Sequence, residues 1–340
     1  MKANSKFFIG IDVSKPFFDA SLMAVTDHQK RGIETARFDN TLEGLKAFGK
    51  WLKSFKVAMD PNTLVVIENT GIYHRLIWSF CNKKGLPLHI GNAAHIKWSF
   101  GITRGKNDKI DSIRLCKYAC KESDTLKVSS ALNPVLMQLK DFMTSRTRLL
   151  SQINSNKQYI KELKNINDPM VQKAVEKAHL AAIEGIAGSI KEIEALISKI
   201  IAENPELKNN YDLLITVPGI GHLTAVYLIC CTTNFSAKIS GKQLACYAGV
   251  VPFEHSSGIS IKGRNRVHHM ANKELKKLFH LSALSVIQYY PEFRTYYNRK
   301  KEEGKHPMSI LNAIRNKIAL RVVAVVSHQK PYVSNQLIAA

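Results

Sequence analysis

A chain of 340 residues with 45% hydrophobic content can hold two or three domains with buried cores, which excludes disorder as its default state. Its 49 Lys and Arg against 27 Asp and Glu give a net charge of +22 at pH 7, so the expected partner is a polyanion, nucleic acid first. The run Phe7 to Ile11 stops at Asp12, too short for a signal peptide, no apolar run reaches the about 20 residues of a bilayer span, and the six cysteines lack paired C-x-x-C spacing; a cytoplasmic protein with reduced thiols, no zinc and no membrane contact is expected.

From the N-terminus, Lys6 to Val13 reads as a strand and Asp19 to Val25 as its antiparallel neighbour. Leu45, Phe48, Trp51, Leu52 and Phe55 mark one face of a helix over Leu42 to Phe55, and Leu64 to Ile67 is a short, fully apolar strand. Ile72 to Lys83 is again helical, Pro87 to Ile90 extended, and Lys109 to Cys120 a helix with Ile110, Ile113 and Tyr118 among its apolar positions. This alternation predicts an α/β domain over residues 1–125.

Residues 126–205 change character, with long helical periodicity and few glycines. Ile183, Ile186, Ile190, Ile193, Ile197 and Ile200 alternate spacings of three and four, as a coiled-coil seam does, and Leu136, Leu139, Met143, Leu150, Ile153 and Ile160 form a looser partner. Asn167, Asp168 and Pro169 suit the start of the second helix. An antiparallel helical pair and a dimerising coiled coil both fit, as does packing confined to one subunit.

Residues 206–340 form a third, mainly helical and basic region: between Phe235 and Lys330 there are 17 Lys/Arg and 5 Asp/Glu, an excess of 12, more than half of the net charge. Val217-Pro218-Gly219-Ile220-Gly221 separates two helical stretches, a turn that exposes backbone N–H groups suited to a phosphate, or simply a tight helical corner. Glu254-His255-Ser256-Ser257-Gly258 and Lys262-Gly263-Arg264-Asn265-Arg266 put hydroxyls beside positive charge. Alone, this is an ordinary polar turn. Further on, Lys273, Lys276, Lys277, Arg294, Arg299, Lys300, Lys301 and Lys305 are interleaved with Tyr289, Tyr290, Phe293, Tyr296 and Tyr297; the charges suit a nucleic-acid backbone, and the aromatics read as a core face.

The acids carry the chemistry. Asp12 closes the first strand in Ile9-Gly10-Ile11-Asp12-Val13-Ser14-Lys15, and Glu68 follows the apolar strand in the same way, so both can meet at one sheet edge. Asp108 and Asp111 lie three apart, on one helix face, where two like charges repel unless a cation lies beside them. Such hard oxygen donors suit Mg²⁺, and two ions about 4 Å apart serve phosphodiester chemistry. Taken singly, each acid is more often a solvated cap or strand-end residue.

The blocks Gly10-Ile11-Asp12-Val13-Ser14-Lys15, Glu68-Asn69-Thr70-Gly71-Ile72-Tyr73 and Lys106-Asn107-Asp108-Lys109-Ile110-Asp111 resemble those of the DEDD transposases of the one-ten insertion-sequence family, relatives of the Piv-type DNA invertases. The resemblance covers nearly the whole chain. It implies a RuvC-like, ribonuclease-H-type N-terminal domain whose acids, here Asp12, Glu68, Asp108 and Asp111, hold Mg²⁺. It further implies a C-terminal domain whose nucleophilic serine, directly before a glycine, is Ser257, with Ser256 and Ser260 as neighbours open to confusion; His255 beside them reads as a base or, more ordinarily, as a surface or core histidine. Gly219, Gly221, Lys262, Arg264 and Arg266 are the expected nucleic-acid contacts. A structured noncoding guide RNA, DNA as substrate and a homo-oligomer with a composite active site are implied as well. Two other readings stay open: a RuvC-like nuclease that uses water, and a non-enzymatic nucleic-acid scaffold.

Overall fold

The structure is a computed structural model, and it describes residues 5–100, 108–131, 133–163, 168–257, 261–267 and 270–333, with the side chains of 254–257, 261–262 and 264–266 left out. The chain divides into two compact units, Met1–Asn133 and Pro134–Ala340.

The first unit is built on one mixed sheet. Strand β1 (Ser5–Val13) lies at its centre, β2 (Phe17–Thr26) runs antiparallel beside it, and β3 (Gln29–Lys30) and β4 (Glu34–Asp39) both pair with β2. Helix α1 (Leu42–Ser54) leads to β5 (Thr63–Glu68), parallel to β1 on its other side, and α2 (Arg75–Lys84) leads to β6 (Leu88–Gly91), parallel to β5. Helices α3 (Ala93–Ser99) and α4 (Asp108–Lys121) complete the unit.

Alternation along β1 explains why both sheet faces are covered. Phe7, Ile9, Ile11 and Val13 join a core with Phe48 and Leu52 of α1 and Ile77 and Cys81 of α2. Phe8 and, on β5, Val66 face the other way, into a cluster with Ile96 of α3 and Leu115, Cys116 and Ala119 of α4. A strand buried on two faces has no polar side to display, which is why Leu64 to Ile67 reads as continuously apolar. The expected elements are all present, with shifted bounds. The second helix begins at Arg75 rather than Ile72, and Ile110 of α4 is exposed rather than in the core.

The second unit opens with α5 (Pro134–Leu163) and α6 (Pro169–Glu203). Arg146 Nε donates to Glu194 Oε1 at 2.6 Å, and His179 Nδ1 lies 3.1 Å from Asn156 Oδ1, so the two helices run antiparallel. Asp168 caps α6 by accepting from the Met170 and Val171 amides, with Pro169 in the first turn where its missing N–H costs nothing. Of the isoleucine seam, Ile190 and Ile197 are buried and Ile193 and Ile200 half-buried against the core that contains Leu136, Leu139 and Met143.

The remaining elements are α7 (Pro205–Ile215), α8 (His222–Cys231), α9 (Gly241–Tyr247), the hairpin β7 (Phe253–Ser257) and β8 (Ile261–Arg266), α10 (Lys273–Tyr289), α11 (Pro291–Glu302) and α12 (Pro307–His328). They enclose one apolar core around Phe279, Ile314 and Ile318. The interleaved aromatics divide: Phe293 is in that core, Tyr296 and Tyr297 pack at its margin, and Tyr289 is 68% exposed. Among the described residues no helix is long and apolar enough to cross a membrane. Cys81, Cys116 and Cys230 are buried, Cys120 and Cys231 half-buried and Cys246 exposed, and all six are free thiols.

Candidate active site

The sheet brings the first two acids together by register. Strands β1 and β5 are parallel, with Ile11 opposite Ile67, so Asp12 and Glu68, each the next residue, leave the same sheet edge side by side. Asp108 and Asp111 occupy the first turn of α4, where carboxylates favour the positive end of the helix dipole. What draws that helix against β1 is Gly10. A Cβ there would stand 2.0 Å from the Cys116 amide nitrogen and 2.4 Å from the Ser112 carbonyl oxygen, so only a residue without a side chain admits α4. The Cys116 thiol donates to the Phe8 carbonyl at 3.2 Å, fixing the same contact, and the buried hydroxyls of Ser21, on β2, and Ser112 meet at 2.7 Å, tying α4 to the neighbouring strand.

The electrostatics follow from this packing. The Asp12 carboxyl is pushed up to about 6, first by burial and then by the negative charges of Asp108, Asp111, Glu68 and Asp19. All four predicted acids therefore belong to one electrostatic neighbourhood. Asp108 is exposed, and Asp111 accepts from Arg114 Nη1 at 2.7 Å. Among the described residues no three His, Cys, Asp or Glu side chains form a ready-made ion cage. The donor set nevertheless fits a hard divalent cation, because it is all carboxylate oxygen and the charges of Asp108, Asp111 and Glu68, added to burial, disfavour an unneutralised Asp12 carboxylate.

Two residues of this site escaped the sequence reading. The β1–β2 hairpin closes around Lys15 and Pro16, which sets Asp19 opposite Asp12, and β4 sets Arg37 opposite Asp19. Arg37 grips the buried Asp19 carboxylate through Nε at 3.1 Å and Nη2 at 2.8 Å, and Nη2 also stands 3.8 Å from Asp108. The signal was the hairpin's symmetry, since Asp12 and Asp19 lie equally far from its turn.

In the second unit, Ser257 ends β7 opposite Ile261, and Ser256 pairs with Lys262 of β8. The side chains of His255, Ser256, Ser257, Lys262, Arg264 and Arg266 lie outside the described residues, as does all of Ser260. The stems of the hairpin are tied: Asn272 receives the Tyr227 hydroxyl at 2.9 Å, donates to the Tyr247 hydroxyl at 2.8 Å, and its amide donates to the Tyr247 carbonyl at 2.8 Å. Asn272 also caps α10 by accepting from the Leu275 amide. A tied base of this kind was not legible from the sequence, because its partners lie 25 and 45 residues away.

The two glycines of the turn between α7 and α8 differ. Gly219 has φ of 81°, and a Cβ on it would meet Val286 at 2.6 Å and the Ser282 carbonyl at 2.9 Å, so it is required by the packing against α10. Gly221 precedes α8 in open space, and no side chain caps that helix start.

Comparison with known proteins agrees with both halves. Residues 9–165 match a family model described as a transposase, of the DEDD type named for IS110, and residues 211–298 match the "Transposase IS116/IS110/IS902 family". The chain is 32% identical over 338 residues to the pilin gene-inverting protein of Moraxella bovis, covering 96% of this chain and 98% of that one. The Moraxella lacunata pilin gene-inverting protein matches with the same identity and the same coverage. A 43.6 kDa protein of insertion element IS110 from Streptomyces coelicolor is 32% identical over 129 residues, 38% of this chain and 31% of that protein.

Proposed function

Since the chain belongs to the IS110 family of DEDD transposases and recombinases, and is accordingly an enzyme that acts on DNA, we propose that Asp12, Glu68, Asp108 and Asp111 hold divalent metal, Mg²⁺ by preference and two ions by the donor count, and that Ser257 is the nucleophile. The observation that supports this most is the convergence of the four acids: strand register sets Asp12 beside Glu68, and Asp108 and Asp111, in the first turn of α4, act with Glu68 on the Asp12 carboxyl. When bound, the metal supplies positive charge to phosphate oxygens and eases ionisation of a hydroxyl next to it.

The chain's own residues do the rest. The Ser257 hydroxyl oxygen forms a bond to a DNA phosphorus, the phosphorus bond to one sugar oxygen breaks, and that oxygen takes up a proton as it leaves. The phosphoester conserves the energy of the broken bond, so the reverse attack by a sugar hydroxyl from another strand rejoins DNA and frees the serine. Lys262, Arg264 and Arg266, on the strand that pairs with β7, would balance charge on the phosphate. The amides at the open start of α8, beside Gly219 and Gly221, suit a backbone phosphate that positions the substrate without reading bases.

We extend the reading to two partners. The excess of 12 positive charges between Phe235 and Lys330 favours a further polyanion besides DNA, which fits a structured noncoding guide RNA. Met170, Val171 and Leu180, exposed near the start of α6, favour association of copies through the helical pair.

Recombination of a plasmid carrying the element ends tests the acids. Asp12→Asn and Glu68→Gln are expected to abolish strand exchange while the gel shift of the same DNA stays within about threefold of the unaltered protein. Undiminished exchange by either variant removes that acid from the reaction.

A further inference from the structure

We propose that Arg37 is a resident counter-cation of the acidic cluster, which takes Asp19 out of the set of oxygen donors and so confines divalent metal to Asp12, Glu68, Asp108 and Asp111. The inference rests on the reading that those four acids bind metal. Three adjacent strands place Asp12, Asp19 and Arg37 in one row, each opposite the next. By position and chemistry Asp19 is thus a fifth carboxylate of the site, directly opposite Asp12 in register.

Its fate is decided by Arg37. The Asp19 side chain is 9% exposed, so its charge needs a partner, and the guanidinium gives it a two-pronged one at 3.1 and 2.8 Å. Both carboxylate oxygens are engaged. The guanidinium is itself fixed by stacking over the Phe17 ring, 3.8 Å from its centroid, and it does not lose its proton at any pH the protein meets. The same nitrogen that holds Asp19 stands 3.8 Å from Asp108, so the positive charge also faces the first acid of α4.

Removing either member of the pair changes the charge at the site by one unit, in opposite directions. Manganese titration calorimetry on the full-length protein reads that directly. Arg37→Gln exposes a fifth acid and is expected to bind Mn²⁺ about fivefold more tightly, whereas Asp19→Asn leaves the guanidinium unmatched and is expected to bind about fivefold more weakly. The double variant Asp19→Asn with Arg37→Gln is expected to return within about twofold of the unaltered protein. Recombination is expected to fall in Arg37→Gln despite its tighter binding, and to recover in the double variant.

A merely structural pair would weaken binding in both single variants. Equal or weaker Mn²⁺ binding by Arg37→Gln overturns the proposal, and so does unchanged binding by Asp19→Asn, which speaks even where the first variant does not fold. Absence in the unaltered protein of any Mn²⁺ binding that Asp12→Asn removes overturns the four-acid reading as well.

Discussion

Gly10 of β1 and Cys116 of α4 approach so closely that a Cβ on the glycine would lie 2.0 Å from the Cys116 amide nitrogen. This contact, two residues before Asp12, sets how far Asp108 and Asp111 stand from the sheet edge.

Gly10→Ala must therefore push α4 away from β1. Overpacking against backbone costs about 1–3 kcal/mol or more, because backbone cannot turn aside as a flexible side chain can. The expected result is a lower midpoint in thermal unfolding and a loss of recombination that exceeds the loss of folded protein at 25 °C. An unaltered midpoint would show that helix and strand are not packed as described.

Asp12 gives a dependence on pH. Its folded value of about 6 lies above the ordinary 3.8, so between those values the folded state holds a proton that the unfolded state has released. Stability conferred by that proton is present below the lower value and is lost as pH rises through the upper one. At pH 7.5, without metal, Asp12→Asn removes this penalty and is expected to raise stability by about 1–2 kcal/mol, after a discount for screening of a partly exposed group. At pH 4 the two proteins should unfold alike. Thermal melts at both pH values check the sign, and an unchanged or lowered midpoint at pH 7.5 would contradict it.

For the basic hairpin strand, replacing Lys262, Arg264 and Arg266 together by alanine is expected to lower the slope of log affinity for DNA against log salt by about 2–3, since each phosphate contact contributes about 0.9. Fluorescence anisotropy across a salt series measures it. An unchanged slope would assign these residues to folding rather than to phosphate.

What the sequence made legible divides along physical lines. Strands β1 and β5 and the acids that end them were readable, because a doubly buried strand must be apolar and a carboxylate at its end stands out. Helix α4 was readable from its start but its exposed Ile110 was not, because periodicity reports which positions are apolar and not which neighbour covers them. Asp19 and Arg37 were missed since their roles depend on pairing across three strands, and Asn272 was missed since it acts through tyrosines distant in the chain. The β7–β8 hairpin was also missed, its serine, glycine and basic residues reading as a polar loop.

The most direct test of the account is to trap the covalent intermediate. Protein is incubated with DNA carrying a nick that lets the cleaved end diffuse away, then denatured, digested and analysed by mass spectrometry. A DNA phosphate attached to Ser257, absent from both Ser257→Ala and Asp12→Asn, is the predicted result. DNA cleaved at the element ends by protein that carries no attached phosphate, with Ser257→Ala cutting as well as the unaltered chain, would instead make water the nucleophile.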